Sequence, residues 1–134
     1  MSEYVWLLPE VVLAIHGRQI AEHGGDSGVR DVGLLESALA RPKNLLAYGD
    51  PAPDIAALAA TYAFGLSKNH PFIDGNKRVA YVAARTFLLL NGWDISAAPE
   101  EKYQTMLSLA EGNLSEEKLA DWFRTRLIEQ PKDL

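Results

Sequence analysis

The chain has 134 residues, 48% of them apolar and 23% charged, a balance that suits one globular domain large enough to bury a core. With no cysteine, disulfides and thiolate metal sites are excluded, and a reducing cytoplasm is the expected compartment. The net charge of −5, from 13 basic and 18 acidic residues, argues against the broad basic face that a nucleic-acid polymer requires.

Ser2-Glu3-Tyr4 lacks the basic region of a signal peptide, so none is expected. No run approaches the ~18 apolar residues of a membrane span. Tyr4 to Leu8 is a short apolar run ending at Pro9, a residue suited to the first turn of a helix. Val11, Val12, Ala14, Ile15 and Ile20 recur at helical spacing until Gly24-Gly25, and residues 24–28 read as a loop. Leu34, Leu35, Ala38 and Leu39 predict a second helix, with Pro42 as its expected end. Residues 43–53 hold the breaker cluster Gly49-Asp50-Pro51 with Pro53, the expected flexible loop. Asp54 is a good N-cap for a third, alanine-rich helix ending near Asn69.

Residues 76–91 are apolar on almost every face: Val79, Ala80, Tyr81, Val82, Ala83, Ala84, then Phe87 to Leu90. A helix apolar all round is buried all round, which makes this segment the expected central helix. Asn91-Gly92 supplies its stop, and Trp93 to Ser96 reads as a short strand. Pro99 begins a fifth helix that closes at Gly112-Asn113, and Ser115-Glu116-Glu117 opens a sixth. The expected fold is all-α: a single compact bundle of about six helices around a buried central helix, with residues 1–134 forming one domain.

Most of the functional signal lies in residues 70–78, His70-Pro71-Phe72-Ile73-Asp74-Gly75-Asn76-Lys77-Arg78. Asn76 falls at a helix start, where unpaired backbone N–H groups and the helix dipole attract anions. Gly75 lets a ligand approach the backbone and can adopt positive φ. Lys77 and Arg78 add formal charge, giving a phosphate cradle that is not a Walker A loop. A carboxylate beside phosphates can hold Mg²⁺, the role open to Asp74. His70 is the one group in the loop whose ordinary pKa lets it take a proton from a hydroxyl near neutrality. Around them, residues 68–85 carry Lys68, Lys77, Arg78 and Arg85 against Asp74 alone, a small cationic site suited to a nucleotide. The chemistry indicated is transfer from a nucleotide to a hydroxyl.

Each residue alone has a plainer reading. His70 would be a solvated loop histidine, Asp74 a turn residue or cap, and Lys77-Arg78 an exposed charge pair. Their coincidence within nine residues favours chemistry. His16 and His23, seven apart with no acid at metal spacing, read as structural or surface residues. Trp6, Trp93 and Trp122 read as core or groove lining, and Arg30-Asp31 as a turn and helix cap.

The nonapeptide resembles the core motif of the Fic/Doc family, H-x-F-x-[D/E]-[G/A]-N-[G/K]-R, and meets every specified position. Residues 24–42 and the run into Ala14-Ile15-His16 are similar to the N-terminal region of death-on-curing (Doc) toxins. The resemblance implies that His70 is the catalytic base, that Asp74 positions Mg²⁺, and that Gly75, Asn76, Lys77 and Arg78 bind the phosphates of ATP. Phe72 would anchor the loop in the core. Lysine at position 77 is similar to the Doc branch, which phosphorylates a hydroxyl of elongation factor Tu. That branch is silenced by an antitoxin whose C-terminal segment lies in a groove on the toxin. Pro71 and Gly75 look more like the branch that transfers AMP, so a protein AMP transferase is the alternative. A catalytically silent partner-binding module is a third reading, and the intact motif argues against it.

Overall fold

The computed structural model describes residues 3–130, and most of its helices begin and end at residues whose chemistry marks a boundary. Helix α1 (Pro9–His23) carries Pro9 in its first turn and stops at Gly24, φ 79°. Asp31 caps α2 (Val32–Tyr48) by accepting from the Leu34 N–H at 3.0 Å. Asp54 does the same for α3 (Ile55–Asn69), from the Ala57 N–H at 2.9 Å. Helix α4 (Asn76–Leu90) is followed by β1 (Trp93–Ile95) and α5 (Pro99–Ala110). Ser115 caps α6 (Glu116–Arg124), after which β2 (Leu127–Glu129) runs antiparallel to β1, with Asp94 opposite Ile128. The fold is therefore helical, with six helices among the described residues and one short strand pair. No helix there is long and apolar enough to cross a membrane.

Two expectations need correction. Pro42 does not end the second helix, which continues to Tyr48 and confines the following loop to residues 49–54. The ring of Pro42 is buried, and that packing offsets the single backbone hydrogen bond a mid-helix proline removes. The central helix is α3 rather than α4. Ten residues of α3 are buried, against seven of α4, and α3 packs against α2, α4 and α6. Its alanines and Gly65 let three helices approach at once; a Cβ on Gly65 would stand 2.9 Å from the Arg41 side chain. Leu58 and Leu66 fill the remaining depth, and truncating either to alanine would cost about 2–5 kcal/mol. Helix α4 buries Val79, Ala80, Ala83, Ala84, Phe87 and Leu88 but leaves Arg78, Arg85 and Leu90 exposed. It is amphipathic, with its buried stripe against α3 and its first turn at the surface.

The N-terminal segment is fastened to this frame. Leu7 N–H donates to the buried Tyr62 hydroxyl at 3.1 Å, and the Asn91 amide pairs with both backbone groups of Val5, at 2.8 and 3.0 Å. Trp6 stacks on Phe87 at 5.8 Å, which gives that tryptophan its packing role.

Candidate active site

The segment joining α3 to α4 is held from several sides. Helix α3 ends at His70, whose φ of 49° and ψ of 57° lie in the left-handed region that a non-glycine residue rarely occupies. Phe72 is 1% exposed, with its ring stacked on His16 at 4.0 Å and 8°. The His16 ring donates from Nε2 to the Asp74 carbonyl at 2.9 Å, so α1 fixes the far side of the loop. Asn76 closes it from below: its amide accepts from the Phe72 N–H at 3.0 Å and donates to the Phe72 carbonyl at 2.9 Å.

The stretch after α1 completes the clamp. Val29 and Phe72 form an antiparallel bridge, with Arg30 and Asp31 N–H groups on the Pro71 carbonyl at 2.7 and 3.1 Å. Ile73 N–H returns to the Gly28 carbonyl at 3.1 Å. The Arg30 guanidinium reaches the carbonyls of His70 and Asn69 at 2.7 and 2.8 Å. Arg30-Asp31 is thus a turn and a helix cap, as its sequence suggested, with a further hold on the motif.

At the start of α4, Gly75 is the N-cap with φ 79°. A Cβ there would meet Ile20 only at 3.5 Å, so the backbone angle, not space, demands glycine. The first intrahelical bond runs from Val79 N–H to the Gly75 carbonyl at 3.0 Å. The N–H groups of Asn76, Lys77 and Arg78 precede it and have no carbonyl within the helix to meet. Asp74 lies beside them. Its carboxylate accepts from Gly75 N–H at 2.8 Å and, weakly, from Asp26 N–H at 3.4 Å. Gly25 lies so close that a Cβ would come within 2.6 Å of the Asp74 oxygen.

His70, Asp74 and Arg78 are exposed, and Lys77 is half-buried with its ammonium 5.5 Å from the centre of the Tyr103 ring. The His70 Nδ1 stands 3.4 Å from the Asn76 amide nitrogen, a long contact in which the amide can only be the donor. The arrangement brings His70, Asp74, Gly75, Lys77 and Arg78 around one helix start. The side chain of Asn76 is turned inward and engaged with Phe72, so what this residue offers a phosphate is its backbone N–H. The donor set suits Mg²⁺, which takes one or two carboxylates and completes its shell with phosphate and water. Among the described residues no cluster of three or more His, Cys, Asp or Glu is placed to hold a metal alone.

Sequence reasoning passed over His16, Gly25 and Arg30 as parts of the site. The spacing of Val12 and His16, one turn apart on the buried face of α1, is the signal that places the imidazole inward. Away from the motif, a wider groove of about 1060 Å³ opens between α2, α3 and α6, and no motif residue lines it.

Fold and site together define a class: a helical protein whose loop between two packed helices sets a histidine, an acid and two cations at a helix N-terminus. The model of the Fic/DOC family matches residues 6–88, and the chain belongs to that family. It is similar to Toxin Doc of Mycolicibacterium smegmatis, 45% identical over 74 residues, which are 55% of this chain and 57% of that protein. It is also similar to Protein kinase doc of Escherichia phage P1, 34% identical over 116 residues, 87% of this chain and 90% of the phage protein. The chain thus spans little more than half of the first relative and nearly all of the second.

Proposed function

We propose that this chain is a toxin of a toxin–antitoxin pair that phosphorylates a hydroxyl side chain of a translation factor resembling elongation factor Tu, using ATP and Mg²⁺. The observation that carries the reading is the rigid juxtaposition of His70 with Asp74 and the unpaired N–H groups of α4, flanked by Lys77 and Arg78. The name of the phage relative, Protein kinase doc, favours the phosphoryl over the adenylyl group.

In this mechanism the His70 imidazole takes the proton of the target hydroxyl as its oxygen bonds to the terminal phosphorus, and ADP departs. Such a base contributes roughly 10²–10⁴-fold in rate. The N–H groups of α4 hold the phosphate oxygens through the helix dipole, and Arg78 adds a planar cation that accommodates charge gathering there. Mg²⁺ held at Asp74 would neutralise phosphate charge and keep the triphosphate in one pose. An antitoxin partner would silence the protein by occupying a groove on its surface. Transfer of AMP is the second reading, supported by Pro71 and Gly75.

The test is incubation with purified elongation factor Tu and ATP labelled at either the α or the γ position, followed by intact mass. Label from the γ position on the target is the expected result, absent with His70→Ala, while Asp74→Asn raises the Mg²⁺ concentration needed. Transfer of α-label replaces the phosphoryl reading with the adenylyl one. Unimpaired transfer by His70→Ala removes the proposed base.

A further inference from the structure

The groove between α2, α3 and α6 lies apart from the motif, and its volume of about 1060 Å³ exceeds the roughly 300–1,000 Å³ of small-molecule sites. That size suits a length of polypeptide. Its walls differ in chemistry. On the α2 side stand Leu45, half-buried, and Tyr48, which is 85% exposed at the last residue of the helix. A tyrosine so placed is an aromatic anchor without a partner in the fold. Ala57 and Ala120 keep the groove shallow-sided and let another backbone approach closely.

The α6 wall is acidic. Arg41 and Thr61 take both oxygens of Glu116, each at 2.6 Å, so that carboxylate is satisfied within the fold. Arg124 is one cation between two carboxylates, Asp54 at 2.7 Å and Asp121 at 2.5 Å. Glu117 has no ion pair among the described residues and is exposed. Four acids against two arginines leave the groove two charges negative. Glu117 and Asp121, four residues apart, carry that excess along one turn of α6.

This pattern selects among occupants. A nucleic acid or an acidic segment meets repulsion from the α6 wall. A purely apolar segment would bury Glu117 and Asp121 without a counter-charge. A helix with an apolar stripe and a flank of cations one turn apart satisfies both walls. A second copy of this chain does not supply it, because none of its six described helices carries two Lys or Arg residues three or four apart.

We propose that this groove docks an amphipathic helix of a partner protein, its apolar stripe on Leu45, Tyr48 and Ala57 and two basic side chains one turn apart on Glu117 and Asp121. No motif residue lines the groove, so the helix tethers a partner while the loop between α3 and α4 stays open.

The probe is a fluorescein-labelled peptide of about 16 residues, long enough to hold a helix, with a leucine stripe and two lysines one turn apart on its flank. A twin carries glutamate in place of the lysines. Each is titrated with the full chain and followed by anisotropy. The lysine peptide should bind at least roughly ten-fold more tightly than the twin. Tyr48→Ala should weaken it roughly ten-fold and Glu117→Gln about two- to five-fold. Both residues are exposed, so neither variant should lose melting temperature. Saturating inorganic tripolyphosphate should leave the peptide bound. Failure of the lysine peptide to bind, equal affinity for the twin, affinity unmoved in Tyr48→Ala, or displacement by tripolyphosphate overturns the proposal. So does a parent chain that sediments as a dimer and becomes monomeric with Tyr48→Ala, which would assign the groove to a second copy.

Discussion

The guanidinium of Arg30 donates from Nε to the His70 carbonyl at 2.7 Å and from Nη2 to the Asn69 carbonyl at 2.8 Å, so one side chain closes the C-terminal end of α3. A cation at that end meets the negative pole of the helix and satisfies carbonyls the helix leaves unpaired. It also pins the backbone of His70 in its left-handed conformation, which sets where the imidazole stands. Arg30 thereby acts on the proposed base without approaching the phosphate groups.

Arg30→Ala should consequently separate kcat from KM. A displaced base of this kind lowers turnover by roughly ten- to a hundred-fold, while the ATP KM, set at α4, stays within about two-fold. The loss of stability should be modest, about 1 kcal/mol, because the bonds are exposed. Arg30→Lys keeps the charge without the fork and should recover only part of kcat. Steady-state kinetics beside a melting curve decide the matter, and a raised KM at full kcat would assign Arg30 to nucleotide binding instead.

Asn76 gives the opposite signature. Its amide satisfies both backbone groups of the buried Phe72, so Asn76→Ala leaves a buried N–H and a buried carbonyl unpaired. Each such group costs about 1–3 kcal/mol, so the pair predicts a loss of about 2–6 kcal/mol in a urea titration together with loss of activity. His70→Ala, at an exposed position, should leave the same titration nearly unmoved. An Asn76→Ala protein of parental stability would mean that the clamp on Phe72 contributes little.

What could be read from sequence was local. Pro9, Gly24, Asp31, Asp54 and Ser115 act within one helical turn, so the boundaries they mark were legible. The nine contiguous residues of the motif were legible for the same reason. Pro42 was misread because whether a proline breaks a helix depends on what its ring packs against, here the core. The central helix was misassigned because apolar content does not measure approach. The small residues of α3 admit three neighbours, while the larger ones of α4 leave one flank open. β2 exists only because β1 lies alongside it, and Leu127–Glu129 carries no strand signal of its own. Arg30 and His16 reach the motif across 40 and 58 residues of chain, a separation at which pattern alone is silent.

Asp54 ties stability to pH. It caps α3 and pairs with Arg124, whose Nε stands 2.7 Å away, and the hydrogen bond from that guanidinium holds its carboxyl below the usual range. A carboxyl whose folded pKa is depressed stabilises the fold fully above its unfolded pKa, and that contribution is lost as pH falls through the folded value. Asp54→Asn keeps the cap and removes the charge. It should destabilise the protein at pH 7 by less than about 1 kcal/mol, since both partners are substantially exposed. The difference should vanish on acidification below the ordinary carboxylate range. Melting curves of the two proteins from pH 7 to pH 3 test this, and a gap that widens on acidification contradicts the sign.

Under the proposed function, Lys77 would decide between phosphoryl and adenylyl transfer. It stands in the first turn of α4 with its ammonium 5.5 Å from the centre of the Tyr103 ring, beside the N–H groups that open the helix. Glycine here would leave an uncharged anion nest, whereas lysine puts a mobile charge where additional phosphate oxygens would lie. Lys77→Gly should therefore raise the ATP KM, lose γ-label transfer and expose some α-label transfer, because Pro71 and Gly75 already match the AMP-transferring pattern. Glycine also weakens the helix by about 1 kcal/mol, so Lys77→Met, which removes the charge alone, is the necessary companion. If Lys77→Met transfers γ-label as fast as the parent, the ammonium does not orient the nucleotide. If γ-transfer falls in both variants while their melting temperatures stay close to the parent's, the charge is responsible and the helix is not.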